Sequence, residues 1–199
     1  MKYFETLPKV IYTDELRNSK IVTNLMARAS VKPTMLNNPV IYYRYDIQDG
    51  DTPEIIAHKY YGDVYRYWVV LYVNQILDPQ WGWPLNSNTF DKYISDKYPS
   101  VNVYNTVHHY EKIITQIDGG SNTTTVNKLI IDYDTYTSLV ENTKTASFPT
   151  GTVTIKTTKN AVSVYDYELG VNEAKRNIQI LNSQYVNQLE TEFSDLMAA

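Results

Sequence analysis

The stretch Tyr45-Asp46-Ile47-Gln48-Asp49-Gly50-Asp51-Thr52-Pro53-Glu54-Ile55-Ile56-Ala57-His58-Lys59-Tyr60-Tyr61-Gly62 decides the fold, together with Asp63–Asn74 and the tail Trp81-Gly82-Trp83-Pro84-Leu85. Asp49-Gly50 marks a turn, because glycine takes positive φ at no steric cost. Before it, Ile41–Ile47 is rich in Tyr and Ile and reads as a strand. After it, Thr52 is placed to accept a backbone N–H as N-cap. Pro53 suits the first helical position, where its missing donor does no harm. Glu54 complements the helix dipole. Ile56, Ala57 and Tyr60 make one apolar face, and Gly62 falls just past the helix end, where a left-handed residue belongs. Asp63 then caps a second helix, on which Tyr67, Val70, Leu71 and Asn74 share a face widened by Trp68 and Tyr72. The spacing predicts strand–helix–helix.

Working outward, residues 1–40 read as an arm. Val10, Ile11 and Tyr12 form an apolar patch. Thr13-Asp14-Glu15-Leu16 has the form of a helix start, and Ile21–Ala29 has weak helical spacing through Val22, Leu25 and Met26. Val31-Lys32-Pro33-Thr34 and Asn37-Asn38-Pro39 break that pattern. Residues 41–98 form the central module with an extension helix, in which Phe90, Tyr93, Ile94 and Tyr98 recur at helical spacing until Pro99 stops it. Residues 99–199 form a strand-rich region ending in a C-terminal helix. Strands are expected at Val101–Val107, Tyr110–Ile117, Thr123–Tyr133 and Thr152–Thr158. Asp118-Gly119-Gly120-Ser121-Asn122 is a hairpin loop and Phe148-Pro149-Thr150-Gly151 a turn. Thr135–Ala146 fits a loop or a short helix. Val162, Val164 and Tyr165 extend the sheet; Val171, Ala174, Ile178 and Leu181 fit a helix while Ile178 and Ile180 alternate as in a strand, and residues 177–181 are read as the strand. Ser183 caps the last helix, whose apolar face carries Tyr185, Val186, Leu189, Phe193, Leu196 and Met197. The fold class is α+β, with a small antiparallel sheet that needs covering.

The 43% hydrophobic content of the 199-residue chain is enough for a real core. Net charge is −4 with the signs mixed, and the absence of a basic stripe argues against duplex nucleic acid as a partner. Cysteine is absent, which removes disulfides, thiolate metal sites and thiol nucleophiles. No apolar run suggests a secretory signal or a membrane span, consistent with synthesis in a cytoplasm. There are 19 Tyr against 4 Phe, and Tyr combines contact area with a polar tip that suits protein interfaces.

Candidate chemistry is sparse, and neither metal nor cofactor is expected. Strand geometry sends the neighbours His108 and His109 to opposite faces. His58 lacks an orienting partner and a nucleophile. Asp46, Asp49 and Asp51 lack EF-hand spacing and have turn and cap duties. Gly119-Gly120-Ser121 lacks the Lys-Ser/Thr of a phosphate loop. Trp81-Gly82-Trp83 is the best surface candidate, either as an interface anchor, as a sugar-stacking pair, or as a plug folded back on the module.

Tyr45, Gly50-Asp51-Thr52, Ile56-Ala57, Tyr60-Tyr61-Gly62, Trp68 and Asn74 give the central stretch a resemblance to the LysM module, a small βααβ domain that often binds N-acetylglucosamine polymers. Gly50, Asp51, Thr52, Tyr61, Gly62, Trp68 and Asn74 are the residues that define it. The usual closing Gly-x-x-Leu-x-Ile-Pro strand is replaced by Asp78-Pro79-Gln80-Trp81-Gly82-Trp83-Pro84, which leaves the second strand unassigned. Taken end to end, the chain resembles the gene 53 family of baseplate wedge proteins of T-even-like contractile-tailed phages. The resemblance rests on Tyr61-Gly62, Tyr67-Trp68, Trp81-Gly82-Trp83-Pro84-Leu85, Lys97-Tyr98, Tyr165-Asp166-Tyr167-Glu168 and Asn172-Glu173-Ala174-Lys175-Arg176-Asn177-Ile178. It implies a non-enzymatic virion protein, assembled in the host cytoplasm. Such a protein joins neighbouring wedge subunits, helps close wedges around the hub and meets inner-baseplate and sheath-initiating proteins. Intersubunit contact is then expected at Val10, Ile11, Tyr12, Trp81, Trp83, Leu85, Tyr185, Leu189 and Phe193. The alternative is a LysM-type protein binding peptidoglycan or chitin. An enzyme, such as a wall hydrolase with an appended LysM module, lacks any acid–base or metal set.

Overall fold

The computed structural model describes residues 2–198 apart from 16, 28, 30–37 and 39. The chain forms two compact units: Met1–Ser87 with Asn172–Ala199, and Asn88–Val171. Residues 1–40 therefore belong with the central module and the last helix, and the boundaries fall inside the expected segments 41–98 and 99–199. The expected break at Val31–Thr34 lies outside the described residues.

The first unit opens with a 3-10 turn at Tyr3–Glu5. Strands β1 (Lys9–Thr13) and β2 (Ser19–Thr23) follow as an antiparallel hairpin, with Val10 opposite Val22 and Ile11 opposite Ile21. Helical spacing in this segment is thus misleading. Cross-strand pairs of β-branched residues outweigh it. Asp14 caps the hairpin turn rather than a helix, accepting from the Asn18 amide at 2.8 Å, while Arg17 takes φ 62°. Tyr3 and Leu7 do not belong to a free arm. Leu7 is buried, and Tyr3 packs on Trp68 and Phe193 with ring centroids 5.7 and 5.4 Å apart.

The decisive stretch folds as its local chemistry dictates. β3 (Tyr42–Asp46) leads to α1 (Pro53–Tyr61), where the Thr52 side chain accepts from the Ile55 amide and Gly62 closes the helix at φ 69°. Asp63 caps a 3-10 turn, Val64–Arg66, that runs into α2 (Tyr67–Val73). A short α3 (Pro79–Gly82) and α4 (Ser87–Lys97) carry the chain into the second unit. After that unit the chain returns as β8 (Asn177–Leu181) and α7 (Ser183–Ala198). β8 pairs antiparallel with β3, setting Tyr42 opposite Leu181 and Tyr45 opposite Ile178. The strand that closes the module is therefore supplied from the far end of the sequence.

The core of this unit gathers Ile56, Ala57, Val69, Val70, Ile178, Ile180, Leu181 and Val186, with the Trp68 and Phe193 rings packed at a tilt, centroids 5.0 Å apart. Burying one such aliphatic side chain contributes about 1.5–3 kcal/mol. On α7 the buried stripe is Val186, Phe193 and Met197, and Leu196 falls outside it, exposed. Asn182 rather than Ser183 takes the cap position, accepting from the Gln184 amide at 3.2 Å.

The second unit is a four-stranded antiparallel sheet in the order β5-β4-β7-β6, built from β4 (Val107–Asp118), β5 (Thr123–Ile131), β6 (Asn142–Phe148) and β7 (Gly151–Ser163). The first expected strand, Val101–Val107, is instead irregular with a turn at 103–105, and only Val107 is strand, as the first residue of β4. The segment Thr135–Ala146 divides into the end of α5 (Tyr133–Ser138) and most of β6. Val164 and Tyr165 do not extend the sheet. They start α6 (Val164–Glu173), where Ser163 Oγ accepts from the Asp166 amide at 3.0 Å and turns the chain into a helix. No side chain on the four strands is fully buried, because Thr and Lys alternate among the Ile and Val and the sheet is a single layer. The packed centre of this unit lies instead among Phe90, Ile94, Val103 and Val164.

Glu168 of α6 is 7% exposed and bound on several sides. Lys97 Nζ and Tyr98 OH each donate to Oε1 at 2.8 Å, and Tyr93 OH donates to Oε2 at 3.2 Å. Burial pushes the carboxyl up, but these donors and the Lys97 charge outweigh it and hold it below its ordinary value. A carboxyl held low stabilises the fold above its unfolded value of about 4.3 and loses that contribution as pH falls through the folded value. Glu168→Gln therefore lowers the melting temperature at pH 7, and its deficit against the wild type shrinks below about pH 4. A deficit independent of pH would contradict this.

Gly62→Val tests the first unit. No atom lies within 4 Å of an added Cβ, so the cost is the left-handed φ alone. It is about 1–2 kcal/mol, read as a lower denaturant midpoint. Replacing 88–171 by a short Gly/Ser linker should preserve a cooperative transition, because Leu85 and Asn172 are already hydrogen-bonded at 2.7 Å. A product without cooperative unfolding would show that the first unit needs the second.

Candidate intersubunit surface

The motifs that stand apart in sequence meet in the first unit. Asn172 clamps Leu85 with its carboxamide. Oδ1 accepts from the Leu85 amide at 2.7 Å, and Nδ2 donates to the Leu85 carbonyl at 3.1 Å. Lys175 Nζ donates to the Trp81 carbonyl at 2.8 Å. Arg176 bonds Glu173 Oε2 at 2.7 Å and the Ile47 carbonyl at 3.1 Å, and its Nη2 lies 3.9 Å from Asp49. Ser87 Oγ donates to Asp49 at 2.7 Å. The Trp81–Leu85 tail and the Asn172–Ile178 segment are thus two sides of one joint, located where the second unit leaves and rejoins the first.

The same geometry separates the two tryptophans. Trp83 is buried, and its indole N–H donates to the Asp51 carbonyl at 2.9 Å. Trp81 is 58% exposed. Leu85 is half-buried at the joint. On α7, Phe193 is buried in the core, and Tyr185 and Leu189 pack partly buried against it. Val10, Ile11 and Tyr12 are exposed on β1. Of the side chains expected at an interface, β1 and Trp81 present theirs to solvent, while Trp83 and Phe193 spend theirs inside the chain. Ile21 completes the exposed face, since it lies opposite Ile11, and both are about three-quarters exposed at 74% and 75%. Its β-branched character beside Val22 was the sequence signal for a strand that helical spacing hid.

The module-defining residues have structural duties. Gly50 sits in the turn at φ 91°. Asp51 accepts from Tyr45 OH and from the Gln48 amide at 3.1 Å. Tyr61 and Trp68 are buried. Asn74 holds β8: its Nδ2 donates to the Gln179 carbonyl at 2.7 Å, and its Oδ1 accepts from the Gln179 amide at 2.8 Å.

The histidine pair departs from expectation. A register shift between Val107 and His109 interrupts β4, and both rings turn to the same side, with Nδ1 of each 2.8 Å apart. A bulge of this kind re-aims a side chain that regular pleating would send across the sheet. His108 stacks on Tyr167 at 3.8 Å. Among the described residues, no group of three or more His, Asp or Glu converges on a metal position. No described helix is long and apolar enough to cross a membrane.

Comparison with curated proteins finds no match. Among protein families, one described as base plate wedge protein 53 matches residues 16–198. The match runs through the module, the sheet-bearing unit and the returning strand and helix. On that span, the chain belongs to the phage base plate wedge protein 53 family.

Proposed function

We propose that this wedge protein is a structural connector. It joins neighbouring wedge subunits, helps close wedges around the hub and meets inner-baseplate and sheath-initiating proteins. The β1–β2 hairpin is the observation that carries the reading. An isolated two-stranded ribbon is marginal in water, yet this one exposes Ile11, Tyr12 and Ile21. A partner surface that covers them supplies the missing burial. The rigid base is the β3–α1–α2–β8 arrangement, a LysM-like core used for packing.

The groups a sugar would need support the scaffold role over glycan binding. The Asp51 carbonyl is taken by the Trp83 indole, and the Asn74 carboxamide by Gln179 and Val70. Titration with chitin oligomers is expected to be flat, and saturable binding would favour a glycan-binding protein instead.

The connector reading predicts that Ile11→Lys with Ile21→Glu leaves the melting temperature of the isolated chain within a degree or two, since both side chains are already in water and the new charges face each other with opposite sign. The same variant should fail to co-purify with co-expressed wedge subunits. Normal incorporation of the variant into wedges would overturn the reading.

A further inference from the structure

On α4, Asp91, Ile94 and Ser95 recur at helical spacing, and Tyr98, just past the helix end, continues that face. After Pro99 the chain turns back, with the Val101 amide donating to the Tyr98 carbonyl at 3.3 Å. Val101, Val103 and Tyr104 then face that helix across an open cleft of about 330 Å³. Ile94 and Val103 are its buried floor, while Tyr104 remains 64% exposed, its ring tilted against Tyr165 with centroids 4.6 Å apart. The described ion pairs of this unit join Lys97 to Glu168 and Glu111 to His109 and Lys128, and Asp91 enters none of them.

We infer that this cleft is a socket for one arginine side chain of a neighbouring baseplate subunit. The inference deepens the connector reading and rests on it for the source of the arginine. The volume lies at the low end of the range for small-molecule sites, about 300–1,000 Å³, and suits a single side chain. Ile94, Val101 and Val103 give a methylene stem apolar contact, in a lining shared with Asp91, Ser95 and two tyrosines, with the charge held at the rim. The Asp91 carboxylate offers a charge-assisted, forked hydrogen bond, which favours the planar guanidinium over an ammonium. The Tyr104 ring offers a face on which that plane stacks. The nearby cation, Lys97, is neutralised by Glu168 at 2.8 Å. The same unit already sets lysines on tyrosine rings, Lys97 over Tyr98 at 5.5 Å and Lys159 over Tyr136 at 5.0 Å. Among the described residues that line the cleft there is no cation to do the same there.

The test is a nuclear magnetic resonance titration of the full chain with N-acetyl-arginine amide, N-acetyl-lysine amide and the neutral isostere N-acetyl-citrulline amide. Arginine amide should shift signals of Asp91, Val101, Val103 and Tyr104, and citrulline amide should bind about tenfold more weakly for want of the charge. Asp91→Asn, at an exposed position, should keep the melting temperature and lose the preference for arginine. A flat arginine titration, equal binding of citrulline or lysine amide, or an Asp91→Asn chain that binds as the parent does would each overturn the socket. Since the titration uses no wedge partner, its failure leaves the hairpin's role standing on its own test.

Discussion

The carboxamide of Asn74 is the contact on which the first unit depends. It offers one donor and one acceptor in the spacing of a peptide group, and it takes both polar groups of Gln179 as a third strand would. Residue 74 ends α2, and residue 179 is the middle of β8, so one side chain fixes a helix end to the strand that closes the module. Removing it would leave a part-buried backbone pair without its protein partner, which is costlier than the loss of a fully exposed hydrogen bond. Asn172 repeats the device on Leu85 and fastens the joint from which the second unit departs.

This arrangement explains how a small module carries a large excursion. Closing a long loop costs conformational entropy that grows only slowly with its length. Two polar clamps, the Arg176 contacts and the β3–β8 ladder hold the ends, with Ile178, Ile180 and Leu181 buried behind them. The excursion is then free to differ in character. Its sheet has no buried side chain on any strand, and its order comes from backbone pairing and from the cluster around Glu168. Such a sheet is suited to being covered from outside, and a member of a baseplate family has neighbours to cover it.

What the sequence made legible was local. Thr52, Pro53 and Gly62 announce α1 because a cap, a first-turn proline and a left-handed terminus act within a few residues. The hairpin loop Asp118–Asn122 and the strand at 177–181 were legible for the same reason. That this strand closes the module was not, because the signals, Asn74 and Asn172, act on partners 105 and 87 residues away. The hairpin at β1–β2 was hidden by apolar spacing that fits a helix as well as a strand. α6 was hidden by Val164 and Tyr165, which favour strands until Ser163 caps them. The tryptophan motif divides, since Trp83 plugs the module and the Trp81 side chain is exposed.

The central claim is that β8, arriving from the far end of the chain, is an integral strand of the module. Amide hydrogen exchange at Gln179 measures it most directly. The account predicts that this amide, bonded to Asn74 Oδ1 at 2.8 Å, is as protected as the amides of α2, and that Asn74→Ala abolishes its protection while sparing α1. Fast exchange at Gln179 in the intact protein, or protection unchanged by Asn74→Ala, would contradict it.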